Sequence, residues 1–333
     1  MPHPFRMATV VLAGSLMLAV MAASAQSAEV KAPLQLEAKI LLGNVRGRID
    51  HMAIDLKRQR LFVAELGNDT VGVVDLANRS LTRTITGLNE PQGVGYEPSA
   101  DSLLVTNARD GSVKLFDGSE YKETGQVALG SDADNIRVDS AAKQAIVGYG
   151  EGGLAFLDPA TRRKTRTAPL KAHPESFQIA GERIFVNLPD ARAIAVVDAA
   201  SGKLVANWPM DKGGNFAMAL DDDRGRVLVA FRSPPELVAF AVADGKSIAT
   251  APTCGDADDV FVDAKRNRVY VTCGAGYVDV FETNQTVYRR IARVPTAAGA
   301  RTSLFVPELD LLFVAVRAGP AGPAAIWLFR PSS

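Results

Sequence analysis

The sequence predicts an all-β fold, a ring of seven four-stranded antiparallel sheets, and three observations lead to this prediction. Short runs of β-branched and aromatic residues, such as Val269–Val271 and Tyr277–Phe281, are separated by turns rich in Gly, Asn and Asp. Such runs recur every 41–44 residues along the chain. Each period has room for four strands, and that combination is typical of β-propellers.

The repeat is visible at three positions in each copy. The predicted first strands end at Asp55, Glu97, Asp139, Ala180, Asp221, Asp263 and Pro307. The second strands are centred on Val63, Val105, Val147, Val186, Val229, Val271 and Val314. The third strands end in an aspartate in the first four copies and less regularly afterwards. Seven blades are therefore predicted, starting near residues 48, 90, 132, 173, 214, 256 and 300.

The apolar spacing excludes a helical repeat of similar length, because it alternates or runs in short blocks rather than recurring at i, i+3 and i+4. Two stretches, Leu81–Ile85 and Lys203–Trp208, are candidates for the fourth strand of their copies. The last copy ends near Phe329 and lacks an outer strand. A spare strand, Leu34–Leu42, precedes the first copy and is predicted to close the ring, which would remove an exposed sheet edge.

The amino-terminal residues resemble a secretory signal peptide. Arg6 precedes a mostly apolar run from Met7 to Ala22, and Ala23–Ala25 fits a cleavage site. Residues 1–25 are therefore predicted to be removed, and residues 26–333 to form a single propeller domain. The apolar run is too short for a good membrane span. A periplasmic or secreted protein is expected, with no membrane span after cleavage.

The charge balance disfavours a nucleic-acid partner. Lysine plus arginine and aspartate plus glutamate number 37 each in the full chain. Removal of the predicted leader takes away one base, Arg6, and no acid, so the mature chain stays near neutrality. Long-range attraction to polyanions needs a basic excess, and the sequence has no basic stripe interleaved with aromatic residues.

Several repeat segments resemble the YVTN-repeat, YncE-like seven-bladed propellers of bacteria. The resemblance lies in Arg268–Thr272, Leu104–Gly111 and Val196–Lys203, and in Val294–Thr296 with Gly299–Thr302. It covers essentially the whole mature chain. It implies export and a binding or scaffolding role, and it supplies no catalytic residues that could be assigned to this chain.

The entries to the first strands should meet on one face, around the mouth of the central channel. Loops on a rigid scaffold commonly carry function. Five residues before each first-strand end stand Asp50, Gln92, Asp134, Glu175, Phe216, Asp258 and Thr302, and the next positions hold His51, Gly93, Asn135, Ser176, Ala217, Asp259 and Ser303. A polar, acidic mouth is predicted, and its candidate ligand-binding residues are Asp50, His51, Gln92, Asp134, Asn135, Glu175, Asp258, Asp259 and Arg301.

Two interpretations of the acidic positions stay open. Oxygen ligands converging on the axis would suit a divalent cation such as Ca²⁺, with Asp50, Asp134, Glu175 and Asp258 as metal ligands, or a cationic ligand. Alternatively the acids form a solvated rim, in which each caps a turn and pairs with Arg48, Arg137 or Arg301. No other cofactor is indicated.

Catalysis has little support in the sequence. His51, Asp259 and Ser303 occupy equivalent positions in neighbouring copies, but the order around the ring places the serine, not the histidine, in the middle. No G-x-S-x-G motif is present to activate a serine. No catalytic residue is therefore assigned.

The two cysteines should form a disulfide. Cys254 precedes the first strand of the sixth copy, and Cys273 ends its second strand. These strands are antiparallel neighbours, so both residues should lie at the same end of the blade. An exported protein permits the bond.

Taken together, the residues predict a ligand-binding or protein-binding scaffold that acts through the axial mouth, with a small molecule or a protein as partner. The alternative is a metal-dependent, lactonase-like hydrolase at the central channel.

Overall fold

The computed structural model describes residues 1–4, 32–284 and 286–332, and these residues contain seven sheets of four strands. Neighbouring strands within a blade are antiparallel, as in the first blade. The predicted all-β, seven-bladed propeller is confirmed. Residues 5–31, which contain most of the predicted leader and its cleavage site, lie outside the described residues.

Each blade runs from an innermost strand at the axis to an outer strand at the periphery. The innermost strands are β2 (Met52–Asp55), β6 (Pro91–Glu97), β10 (Ala133–Asp139), β14 (Phe177–Ala180), β18 (Asn215–Asp221), β22 (Ala257–Asp263) and β26 (Ser303–Val306). The second strands are β3 (Arg60–Glu65), β7 (Ser102–Asn107), β11 (Gln144–Tyr149), β15 (Arg183–Leu188), β19 (Arg226–Arg232), β23 (Arg268–Cys273) and β27 (Leu311–Val316).

The third strands are β4 (Thr70–Asp75), β8 (Ser112–Asp117), β12 (Gly153–Asp158), β16 (Ala193–Asp198), β20 (Pro235–Ala241), β24 (Tyr277–Thr283) and β28 (Ala325–Pro331). The outer strands are β5 (Ser80–Ile85), β9 (Glu123–Ala128), β13 (Arg163–Pro169), β17 (Leu204–Pro209), β21 (Ser247–Pro252), β25 (Tyr288–Pro295) and, for blade seven, β1 (Leu34–Leu41). In these residues the helices are three-residue 3₁₀ turns, and none is long and apolar enough to cross a membrane.

The ring closes through its amino-terminal strand, as the sequence predicts. Strand β1 pairs antiparallel with β28, from Leu34 opposite Pro331 to Leu41 opposite Ala325. A bulge in β1 includes Glu37, whose carboxylate contacts both Arg330 of blade seven (2.6 Å) and Arg79 of blade one. The last blade is thereby tied to the first across the closure.

The core consists of apolar layers between neighbouring blades. Each sheet packs on both sides, so its middle strands are buried on both faces. Ile184, Phe185 and Val186 in β15 illustrate this, because all three consecutive side chains are fully buried. The short apolar runs of the sequence are thus explained by burial on two faces rather than by alternation.

Arginines join neighbouring blades at the end of the innermost strands away from Asp50. Arg58 donates to Asp55 of its own blade (2.8 Å) and to both carboxylate oxygens of Asp101 in the next blade (2.9 and 2.7 Å). Arg266 does the same with Asp263 (3.0 Å) and Asp310 (both 2.6 Å). We call these two groups the rim clamps.

The predicted disulfide is present. Cys254 and Cys273 are bonded, with their Cα atoms 5.9 Å apart. Ala257, which opens β22, lies opposite Cys273 in the ladder, so the bond fixes the entry to β22 against the end of β23.

Candidate functional site

Many of the side chains at the mouth belong to β-bulges in the innermost strands. In four of the described blades the ladder with the second strand skips residues at its axial end, and the skipped residues are Gln92 and Gly93, Asp134 and Asn135, Phe216, and Asp258. Such bulges re-aim side chains and are common next to functional sites. Here they place polar side chains around the channel instead of between blades.

Gly93 is required at its position by a close approach of two blades. A Cβ atom there would lie 2.3 Å from the carbonyl oxygen of Asp134 and 2.6 Å from Oγ1 of Thr106. Thr106 accepts from the amide of Gly93 (2.7 Å) and donates to the carbonyl of Asp134 (2.5 Å). The threonine therefore joins the bulges of the second and third blades.

A cavity of about 520 Å³ occupies the mouth, which is the size of a small-molecule site. Its lining includes five acidic and four basic side chains, which are Glu90, Asp132, Asp134, Glu175 and Asp258, and Arg48, His173, Arg232 and Arg301. The mouth is therefore polar, as predicted, but its acids stand among nearly as many bases.

Most of the acids are held by a base. Asp258 contacts Arg232 and Arg301, the latter at 3.1 Å. Arg232 also stacks on the ring of Phe216, 3.6 Å from its centroid. These contacts agree with the second interpretation of the acidic positions, in which the acids pair with arginines.

His173 links two further acids of the mouth. Its Nδ1 lies 2.6 Å from the Gly150 carbonyl and 3.5 Å from Asp132, and its Nε2 lies 3.6 Å from Asp134. Burial acts to lower the pKa of this imidazole, but Asp134, the Gly150 carbonyl and Asp132 outweigh it and raise the pKa to about 9. His173 is therefore cationic at neutral pH.

Glu175 differs from the other acids of this cavity. Among residues 32–284 and 286–332, no basic nitrogen lies within 4 Å of its carboxylate, whereas every other acid lining the mouth has such a neighbour. Burial and the nearby charge of Asp134 raise the pKa of Glu175 to about 7. Within the described residues this half-buried carboxylate has no counter-ion in contact, and the more distant charges of His173 and Arg232 lower its pKa only in part.

The arrangement gives the metal hypothesis no support. Within the described ranges, no three His, Cys, Asp or Glu side chains lie together as they must to hold a metal ion. Asp258 is occupied by two arginines, and Asp50 lies below the mouth with Arg48 2.6 Å away. The four carboxylates proposed as ligands thus do not converge on one point.

A second layer of side chains lies beneath the mouth. Asp50 is buried, and burial raises its pKa to about 6. The Nε2 atom of His51 lies 3.0 Å from Nδ2 of Asn135 and 3.8 Å from Asp50. Arg137 can only donate, and it donates to Oδ1 of Asn135, so the amide nitrogen must face His51. Burial acts to lower the pKa of the His51 imidazole, but the charges of Asp50, Asp259 and Asp134 outweigh it and raise that pKa.

Below this layer lies a second cavity of about 480 Å³, whose walls combine apolar and polar side chains. His51, Arg137, Asp259 and Ser303 provide polar groups on its lining. Asp259 accepts from the backbone amide of Ser303 (2.7 Å), and burial raises the pKa of this carboxyl to about 6. The hydroxyl of Ser303 bonds to Thr272 at 2.7 Å.

The predicted site residues therefore divide between two levels. Gln92, Asp134, Glu175, Asp258 and Arg301 line the mouth, whereas His51 and Asp259 line the channel. Asp50 and Asn135 lie between the two cavities, where Asp50 contacts Arg48 and Asn135 contacts His51. Their role in ligand binding stays a prediction.

Sequence reasoning missed Arg232 and Asp132 as parts of the mouth and gave Arg137 a different role. Arg137 was expected to pair with an acid, but it bonds to Asn135, the Ile136 carbonyl (2.9 Å) and Ser176 (3.4 Å). The repeat register contained a usable signal, because Arg137 stands two residues after Asn135 on the same innermost strand and so shares its face.

The fold and its two axial cavities define the class of protein: a seven-bladed propeller with a polar mouth above a channel lined by both apolar and polar side chains. The hydrazine synthase of Kuenenia stuttgartiensis has a similar fold, with a TM-score of 0.71, 18% identity, and coverage of 87% of this chain and 95% of that chain. This likeness shows the fold alone. No protein-family model matches the chain, and no curated protein matches it.

Proposed function

We propose that this protein is an exported binding module that holds a small cationic molecule in its axial mouth. The observation that carries the proposal is Glu175, a half-buried carboxylate without a counter-ion on the wall of a ligand-sized cavity. A strongly perturbed carboxyl in a pocket is a common mark of a functional site. A cationic group beside Glu175 would supply the missing charge.

Export is supported by the disulfide, since such bonds persist in oxidising compartments. The resemblance to YVTN-repeat, YncE-like propellers points the same way and stays a prediction. The hydrolase alternative gains nothing from the arrangement, because Ser303 bonds to a threonine and His51 to an asparagine.

Thermal-shift measurements on the purified chain test the proposal. The probes are a primary amine series, a guanidine series and quaternary ammonium compounds, followed by calorimetry on any that raise the melting temperature. We expect at least one series to bind, and Glu175→Gln to weaken it tenfold or more while Arg163→Gln, on the exposed outer strand β13, has no effect. Affinity should rise as the pH increases through about 7, where Glu175 ionises.

Other outcomes would redirect the assignment. A response to Ca²⁺, Mg²⁺ or Mn²⁺ that a chelator reverses would favour the metal hypothesis, and turnover of lactones or esters would favour the hydrolase. Binding that survives Glu175→Gln unchanged would contradict the proposal. A response to none of these probes would leave a protein as the partner of the mouth and would also count against the small-molecule proposal.

A further inference from the structure

The channel below the mouth contains two opposite charges that are not in contact with each other. Arg137 and Asp259 both line the 480 Å³ cavity. Within residues 32–284 and 286–332, no carboxylate lies within 4 Å of the Arg137 guanidinium, and no basic nitrogen lies within 4 Å of the Asp259 carboxylate. Asp259 is thus buried without an oppositely charged group in contact, which is costly, and the partly buried Arg137 has only the ring of Phe177 nearby, 5.6 Å from its centroid.

Arg137 retains free hydrogen-bonding capacity. A guanidinium has five N–H donors. In the described part of the chain, Nη1 reaches Asn135 and the Ile136 carbonyl, Nη2 makes one long contact of 3.4 Å to Ser176, and Nε has no acceptor. Donors therefore remain on Nε and Nη2 for a carboxylate, the group that an arginine fork fits best.

Asp259 also retains free hydrogen-bonding capacity. One oxygen accepts from the Ser303 amide, and the other has no donor in the described residues. An ammonium group in the cavity would supply both the donor and the opposite charge. Arg137 and Asp259 together thus suit a head group that carries a carboxylate and an ammonium.

Aliphatic side chains form a continuous part of the remaining wall, beside the polar groups of His51, Tyr96, Gln178 and Ser303. Ile54, Val94, Val138, Leu220 and Val262 contribute to its walls, and all but Val94 are partly exposed although they lie on innermost strands. Their exposure is explained by the channel they border. Ligand pockets commonly combine such walls with a few polar groups that fix orientation.

We propose that this cavity binds an apolar α-amino acid, with its carboxylate on Arg137, its ammonium on Asp259 and its side chain along the apolar wall. The site is separate from the mouth and does not depend on the function proposed for Glu175. A zwitterion brings no net charge, which matches a chamber whose two unpaired groups already cancel.

Calorimetry with the purified chain tests this site. L-leucine and L-phenylalanine are compared with 4-methylpentanoate, which lacks the ammonium, and with 3-methylbutylamine, which lacks the carboxylate. We expect the amino acids to bind and each analogue to bind about tenfold more weakly or worse. Absence of binding by L-leucine and L-phenylalanine at saturating concentration would overturn the proposal.

Matched variants assign the two ends of the ligand. Arg137→Gln should remove the preference for L-leucine over the amine, and Asp259→Asn, which can still accept from Ser303, should remove the preference over the acid. Arg163→Gln is the control and should bind as the parent does. If both channel variants fold and bind L-leucine as tightly as the parent, the assignment is wrong.

Two further variants keep the test decisive. Val138→Thr is nearly isosteric and leaves both charges, so weaker binding of L-leucine by about threefold or more would support an apolar wall here, and unchanged binding would contradict it. Glu175→Gln separates the two cavities. If this variant abolishes amino-acid binding, the ligand lies in the mouth and the channel proposal fails.

Discussion

The rim clamps and the axis both combine arginines with acidic side chains. The pKa values of the acids are lowered at the clamps and raised at the axis. At the clamps, hydrogen bonds from Arg58 lower the pKa of Asp101, and those from Arg266 lower the pKa of Asp310 to about 2. At the axis, burial raises the pKa of Asp259 to about 6 and that of Glu175 to about 7.

The difference comes from how completely each charge is paired. A clamp arginine bonds acids of two blades at once, so ionised acids stabilise the folded ring. The axial acids are taken out of water without equal compensation, so their ionised forms oppose folding. The clamps hold the blades together, and the axis keeps charges available for a ligand.

The largest effect should come from breaking a clamp. Arg266→Gln leaves Asp263 buried without its partner, and we expect a loss of about 2–4 kcal/mol in the free energy of unfolding at pH 7. Arg301→Gln removes a more exposed arginine of the mouth and should cost less than about 1 kcal/mol. Urea unfolding of both variants measures the two losses of free energy of unfolding. Equal losses would contradict the difference between the clamps and the axis.

The disulfide should stabilise the axial end of blade six, where Asp256 and Asp258 also pair with Arg232 and Arg301. Replacing both Cys254 and Cys273 by alanine should lower the free energy of unfolding by about 3 kcal/mol, since the bond closes a loop of 19 residues. Reductant should destabilise the parent to a similar extent and leave the variant unchanged. A parent that is indifferent to reductant under unfolding conditions would contradict this expectation.

A smaller loss is expected at the bulges. Gly93→Ala would force a Cβ against the Asp134 carbonyl and should cost about 2 kcal/mol. Gly319→Ala is the control, because nothing lies within 4 Å of its added Cβ, and it should stay within about 0.5 kcal/mol of the parent. Similar melting temperatures for the two variants would contradict this prediction, because they would show that the backbone at the mouth can shift to accommodate the added Cβ.

The fold was readable from the sequence because it repeats. Seven copies of one strand pattern fixed the number of blades, and the unpaired strand Leu34–Leu42 fixed the closure, observed as β1. The disulfide followed from the same register, since both cysteines fell at one end of neighbouring strands.

The site was readable only in part. The register identified which positions face the axis, but it did not show the bulges at Asp134 and Asp258, because a repeat of nearly constant length conceals a skipped pairing. Nor could it show which charges are in contact. Arg232 reaches Asp258 from another blade, while Glu175 and Arg137 contact no opposite charge in the part of the chain that the structure describes, and both facts depend on side-chain distances between copies.

Stability of Glu175→Gln tests the central claim most directly. An unfolded glutamate ionises near pH 4.5 and Glu175 near pH 7, so the folded state binds more protons between these values and its stability falls as the pH rises through them. The substitution should therefore stabilise the protein by about 1–2 kcal/mol at pH 8 and have little effect at pH 4. A variant that is equally or less stable than the parent at pH 8 would contradict the claim that the ionised axial acids destabilise the folded state.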